Sequence, residues 1–90
     1  MNEESKIQKK IIDFLKSEGA YVVKTIVCSK NGIPDLLCCY RGQFMALEVK
    51  TDEGKTTALQ EYNLKEIEKA GGIAITVRSI DDVKSIIFRN

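Results

Sequence analysis

The chain has 90 residues, 43% of them hydrophobic and 30% charged, with a formal net charge of +1. This length suits one domain with little capacity to bury charge uncompensated, and the balance excludes a disordered or collagenous chain. Near-neutral charge withholds the overall basic footprint of many nucleic-acid binders while leaving a local Lys/Arg face open, and no apolar run reaches the length of a membrane span.

From Glu3 to Ser17 the residues Ile7, Ile11, Ile12, Phe14 and Leu15 recur at helical spacing, and Gly19 offers a left-handed stop. The lysines at the start of this segment (Lys6, Lys9, Lys10) precede an amphipathic pattern rather than a signal-peptide core, so the expected location is the cytoplasm, without a membrane partner. Residues 20–27, AYVVKTIV, read as a strand, and SKNG after it as a turn. Residues 33–40 and 43–50 form two further strands, and the two-residue Arg41-Gly42 connection enforces an antiparallel hairpin. Arg41 is a less suitable residue than Gly42 for such a turn, which leaves its type open.

A polar loop over 51–56 leads to a helix from Thr57 to Ala70, with Leu59, Leu64 and Ile67 on its apolar side and Gly71-Gly72 as its stop. IAITV over 73–77 is a short continuous apolar strand of the kind covered on both faces. Ser79 to Asp82 has capping-box spacing, with Asp in place of Glu or Gln, before a last helix carrying Val83, Ile86 and Ile87. The predicted order is α-β-β-β-α-β-α in one α/β domain over residues 1–90, without repeat or linker. Cys28, Cys38 and Cys39 are odd in number and lack CxxC spacing, and are expected to be reduced packing residues. The absence of histidine removes Ser-His-Asp and Cys-His catalysis and histidine metal sites.

The charges on the hairpin carry the chemistry. Alternation along the third strand puts Phe44, Ala46, Glu48 and Lys50 on one face and Met45, Leu47 and Val49 on the other. Simple pairing about Arg41-Gly42 sets Tyr40 opposite Gln43 and therefore Asp35 opposite Glu48. Two carboxylates facing each other on a hairpin repel, so folding alone does not recommend the pair. A divalent cation reverses the sign of that interaction, since Mg²⁺ takes one or two carboxylates and completes its shell with water and phosphate.

Pro34-Asp35 followed by Glu48-Val49-Lys50 at the end of the next strand resembles the PD-(D/E)xK motif of restriction-endonuclease-like nucleases. The element order is similar to that core: a mixed sheet, an antiparallel hairpin carrying the active site, and helices on the faces. Small size, IPDLL, LEVK and a following helix with Gln60 most resemble the virus-type replication-repair nuclease (VRR-NUC) domain, over roughly residues 4 to 80. Its stand-alone phage and bacterial members resemble Holliday-junction resolvases.

The resemblance implies that Asp35, Glu48 and the backbone carbonyl of Val49 ligate Mg²⁺, with Mn²⁺ able to substitute, and that Lys50 orients the attacking water and stabilises developing charge. It further implies an acid on the first helix, Glu4 with Glu3 as the near alternative, and a site-adjacent glutamine, Gln60. Each has a plain structural rival: a first-turn acid suits the helix dipole, Ser5 to Gln8 could be a capping box starting the helix after Glu4, and Thr57 to Gln60 has the same spacing. Lys24, Lys30, Lys55 and Arg41 are candidate phosphate contacts. The expected protein is a metal-dependent DNA endonuclease, a homodimer acting on branched DNA; a replication or repair protein as further partner stays open. The alternatives are the same chemistry on flap, nicked or linear duplex DNA, a non-catalytic nucleic-acid-binding module, and a structural α/β interaction domain.

Overall fold

The protein is described here by a computed structural model covering residues 2–88. Its elements are α1 (Glu3–Ser17), β1 (Tyr21–Lys24), β2 (Leu36–Tyr40), β3 (Gln43–Val49), α2 (Ala58–Lys69), β4 (Ile73–Val77) and α3 (Ile80–Ile87). They build the expected α-β-β-β-α-β-α order. The strands lie side by side in the order β1-β2-β3-β4, the first three antiparallel and β4 parallel to β3.

Strand alternation divides the core between the two faces of this sheet. Leu36, Cys38, Met45, Leu47, Val49 and Val77 point to one face, where Ile11 and Leu15 of α1 and Val83 of α3 close over them. Full burial of one such aliphatic side chain contributes about 1.5–3 kcal/mol, so this face carries most of the stabilisation. The other face has a smaller cluster of Ala46, Ala74 and Leu64, flanked by Leu37 and Ile67. Alanines at the two sheet positions let α2 approach closely. Among the described residues α2 lies over β3 and β4, and not over β1 and β2.

Helix starts follow from side-chain caps. Asn2 accepts the Ser5 N–H at 2.7 Å, so α1 begins at Glu3 and the alternative capping box from Ser5 to Gln8 does not form. Thr57 and Gln60 do form a reciprocal box at the start of α2. At α3, Ser79 accepts from the Asp82 N–H, while the Asp82 carboxylate reaches past it to the Arg78 N–H at 2.8 Å. The hairpin turn has positive φ at both Arg41 (51°) and Gly42 (82°), which is the type I′ geometry that matches strand twist. Arg41 accepts this conformation with its guanidinium over the Tyr40 ring, 5.3 Å from the centroid.

Three expectations need correction. The first strand spans Tyr21–Lys24 rather than 20–27, because the chain leaves the sheet after Thr25; Ile26 and Val27 are 85% and 90% exposed despite their β-favouring side chains. Strand propensity reflects fit to a half-buried surface, and no neighbouring strand provides one there. The second strand starts at Leu36 rather than 33, since Pro34 cannot donate to a ladder. Of the three cysteines only Cys38 is a packing residue, its thiol pushed up to about 11 chiefly by burial; Cys28 and Cys39 are exposed.

Candidate active site

The β2–β3 register runs from Tyr40↔Gln43 to Leu36↔Leu47, and its continuation places Asp35 opposite Glu48. At this end the backbone ladder gives way to a side-chain bond: Asp35 Oδ2 accepts the Val49 N–H at 2.8 Å. The N–H of Val49 thus points toward β2, and the carbonyl of a strand residue points the same way as its N–H. The residue opposite Val49 at the continued register is Pro34, which has no N–H to give. The Val49 carbonyl is therefore deprived of a ladder donor on the side where Asp35 stands. Thr25 holds this stretch from the other side, its N–H on Asp35 O at 2.9 Å and its hydroxyl on Pro34 O at 2.9 Å.

Glu48 is 2% exposed. A solvated strand pair is thereby excluded. Its Oε2 receives Gln60 Nε2 at 3.2 Å and lies 3.5 Å from Lys50 Nζ. Its Oε1 is buried and accepts no hydrogen bond from the protein, an arrangement that costs about 1–3 kcal/mol or more for a charged group. Burial, and then the neighbouring Asp35 carboxylate, raise the Glu48 pKa to about 7, with Lys50 pulling the other way. Gln60 serves two ends at once: its Oε1 closes the capping box on the Thr57 N–H at 2.9 Å while its Nε2 reaches Glu48. The structural and site-directed readings of this glutamine are complementary, because the cap fixes the rotamer that presents the amide nitrogen.

Lys50 follows β3, its side chain 14% exposed. The loop after it is held by Arg78, whose Nη1 donates to the carbonyls of Thr51 and Gly54. Gly54 abuts the lysine stem, for a side chain there would meet Lys50 Cδ at 3.4 Å and Cβ at 3.5 Å. Arg78 was not singled out by the sequence, and as one arginine between a strand and a helix it carries no local signal.

Glu4 is half-buried in the first turn of α1. Among the described residues no three His, Cys, Asp or Glu side chains gather as a metal-holding group, so Glu4 is not drawn together with Asp35 and Glu48. The reason is topological, since α1 packs on the face opposite Glu48. Glu3 lines a separate cleft with Asp52, Arg78 and Asp81. One turn after Glu4, Gln8 is buried with its Oε1 lacking a partner. Sequence reasoning passed over both Gln8 and Asn63, although each is a polar residue interrupting an apolar helical stripe. Asn63 ties α2 to the loop before Asp35, donating to the carbonyls of Asn31 and Gly32 at 3.1 Å each. Gly32 has positive φ (76°) and packs so closely on Leu59 that a side chain would collide with it.

The candidate phosphate contacts separate by position. Lys30 lines a cleft with Thr25, Gly32 and Asp35, and Lys24 lies exposed beside Thr25. Lys55 is exposed on the loop beyond Lys50. Arg41, expected near the motif, sits at the other end of the hairpin, about 20 Å from Asp35 at the usual rise per strand residue. It does not share the site.

Asp35, Glu48 and the Val49 carbonyl offer oxygen donors only, and the orphaned Glu48 Oε1 is a buried acceptor in want of a cation. This donor set fits a hard divalent ion such as Mg²⁺.

A mixed β-sheet with a carboxylate pair at one end of its hairpin and a lysine beside it defines a fold of the resolvase-like nuclease type. No protein-family model and no curated protein matches the sequence. Among solved structures, one described as a VRR_NUC domain superposes with a TM-score of 0.85 at 26% identity, covering 99% of this chain and 98% of its own. A VRR_NUC domain protein reaches 0.77 at 20% identity, over 99% of this chain and 88% of its own. Archaeoglobus fulgidus Hjc, a Holliday junction resolvase from an archaeal hyperthermophile, reaches 0.65 at 15% identity, over 83% and 67%. The last two bear on the fold alone. The chain is a VRR-NUC-like domain.

Proposed function

We propose that this protein is a divalent-metal-dependent endonuclease that hydrolyses phosphodiester bonds in branched DNA as a homodimer, using Mg²⁺ or Mn²⁺. The observation that carries the reading is Glu48: a buried carboxylate with one unpartnered oxygen, set beside a second carboxylate on the same sheet face. Such a pair is unfavourable to the empty fold and becomes favourable when a cation is held between the acids. The branched substrate and the twofold assembly draw on the likeness to a resolvase.

In this reading Asp35, Glu48 and the Val49 carbonyl hold the ion. When bound, it supplies Lewis-acid polarisation of the phosphate and acidification of water. The protein's own groups do the rest. Asp35 is aimed by the Val49 N–H, and Glu48 is aimed by Gln60 Nε2. Lys50 Nζ, anchored beside Glu48, donates to the incoming water and offsets charge that accumulates on the phosphoryl oxygens. Lys24 and Lys30 flank the Asp35 side and contact neighbouring phosphates, which makes binding salt-dependent.

The test is cleavage of a labelled four-way junction, with linear duplex, flap and single-strand controls, by wild type and Glu48→Gln in Mg²⁺, Mn²⁺ and EDTA. Paired metal-dependent cuts on the junction that vanish in the variant are expected. Cutting confined to a control retains the nuclease and discards the branched substrate; no cutting on any substrate favours a nucleic-acid-binding module of the same fold.

A further inference from the structure

The sheet face that carries Glu48 is covered by α2 over β3 and β4 only. On the β1–β2 half, register aligns Tyr21, Cys39 and Phe44 in one cross-strand row and Val23, Leu37 and Ala46 in the next. Tyr21 is 73% exposed, Phe44 43% and Val23 41%, and Cys39 is exposed as well. The flank of α2 beside this open half presents Leu59 (47%) and Tyr62 (58%), three residues apart on the helix. Leu59 marks the side, because it packs against Gly32 in the loop leading to β2.

We propose that a second copy of this chain docks on the open half-face, each copy covering the other about a twofold axis. The inference names the surface of the homodimer put forward above and rests on that reading.

Three features select this occupant. The two rows contain no Lys, Arg, Asp or Glu, in a chain of which 30% is charged. DNA needs cations to replace its counterions and finds none here, so the patch does not suit a polyanion. The five large side chains expose on the order of 500 Å² of apolar area, at about 150–250 Å² for a whole aromatic residue. That is as large as the largest patch on an ordinary monomer, and of the scale of the apolar centre of an interface burying about 800 Å² per partner.

Shape is the third feature. Each copy owns both a floor, the two sheet rows, and a ridge, the Leu59–Tyr62 flank of α2. A twofold operation sets ridge on floor twice over, which is the self-complementarity an isologous interface requires. The packing would also give the open half-sheet the covering layer that an α/β sheet ordinarily has on both faces.

The placement has a consequence for the chemistry. The row after Val23 and Leu37 contains Thr25 and Asp35, joined by the Thr25 N–H, and Asp35 faces Glu48. The interface therefore runs up to the carboxylate pair on the same face. Docking there sets two candidate sites on either side of the axis, as symmetric cutting of two strands demands.

The experiment is sedimentation equilibrium on the full chain, without DNA, up to about 100 µM, well above a micromolar Kd. Wild type is expected to be a closed dimer. Tyr21→Glu combined with Tyr62→Glu should weaken dimerisation at least about 100-fold, as the loss of two aromatic anchors does. Both side chains are exposed in the single chain, so circular dichroism should report an intact fold. Ile75→Glu, at a position 41% exposed on β4, should remain dimeric. A monomeric wild type, open-ended association, or a double variant that dimerises as wild type does would overturn the proposal. So would a monomeric wild type whose junction binding is lost in the double variant, which would assign the face to DNA. Because mass is read without substrate, failure of the nuclease reading leaves this result standing, and a monomeric variant that still nicks one strand separates the two claims.

Discussion

The two faces of this sheet are built to different ends. The face under α1 and α3 holds a continuous aliphatic core without a charged side chain among its buried members. The face under α2 has three small or medium apolar residues in its cluster, and beyond them a carboxylate buried to 2% exposure with one oxygen unpartnered. Stability is concentrated on one face, which leaves the other free to keep a destabilising group. A domain this small could not support such a group if both faces were needed to hold it together.

The contrast can be broken most decisively at Glu48. Glu48→Gln is expected to reduce metal-dependent cleavage by about 10³-fold or more, since it removes a ligand from the reacting centre; single-turnover rates with saturating enzyme check this. The same variant should melt higher than wild type without metal at pH 8. A variant that cuts normally would remove Glu48 from the chemistry, and one that melts lower would show that the acid is not a liability.

Equivalent truncations should then separate the faces. Leu47→Ala, under α1 and α3, is expected to cost about 3–5 kcal/mol, whereas Leu64→Ala, in the cluster beneath α2, should cost about 2–3 kcal/mol. Urea unfolding measures both. The reverse order would mean that the α2 side carries more of the fold than its small cluster indicates.

The pH dependence sharpens the argument next. The Glu48 pKa is raised from 4.5 to about 7 in the folded protein, so between these values the native state binds more protons than the unfolded state. Its contribution to stability is therefore fully present below about pH 4.5, falls as pH rises, and is lost above about pH 7. The total is on the order of 3 kcal/mol. Melting without metal should show this decline beneath the opposing titrations of other groups. Subtracting the profile of Glu48→Gln isolates it. Saturating Mg²⁺ should flatten the decline by stabilising the ionised carboxylate. A difference curve that is flat without metal would contradict the raised pKa.

The smallest effect is expected at the helix that joins the two roles. Gln60→Ala removes half of the α2 capping box and the amide contact to Glu48, costing about 1 kcal/mol. Its effect on cleavage should exceed what that loss of stability explains, and Thr57→Ala serves as the comparison, since it removes the cap and spares the amide group. Equal cleavage by the two variants would reduce Gln60 to a capping residue.

Much of this was legible in the chain. Apolar spacing placed all three helices, and the two-residue Arg41-Gly42 connection set a register that the structure reproduces, including the opposition of Asp35 and Glu48. These features depend on neighbours in sequence, where periodicity and turn length act directly. Thr25 to Val27 misled because β-branched composition reports a propensity and not the presence of a partner strand. Glu4 was out of reach for a related reason: its helix position is local, but the sheet face against which α1 packs is not. Gln8, Asn63 and Arg78 act on loops or layers distant in sequence, and only as interruptions of an apolar stripe could the first two have been noticed.

The sequence by itself determined the elements, the hairpin register and the carboxylate pair, because each rests on contacts between residues close along the chain. The tertiary structure alone decided that Glu48 is buried with an unpartnered oxygen, that Gln60 reaches it from a cap, that Arg41 lies far from it, and that half of one sheet face is open. Those outcomes depend on which layer covers which face, and layer packing brings together residues whose spacing in sequence carries no period.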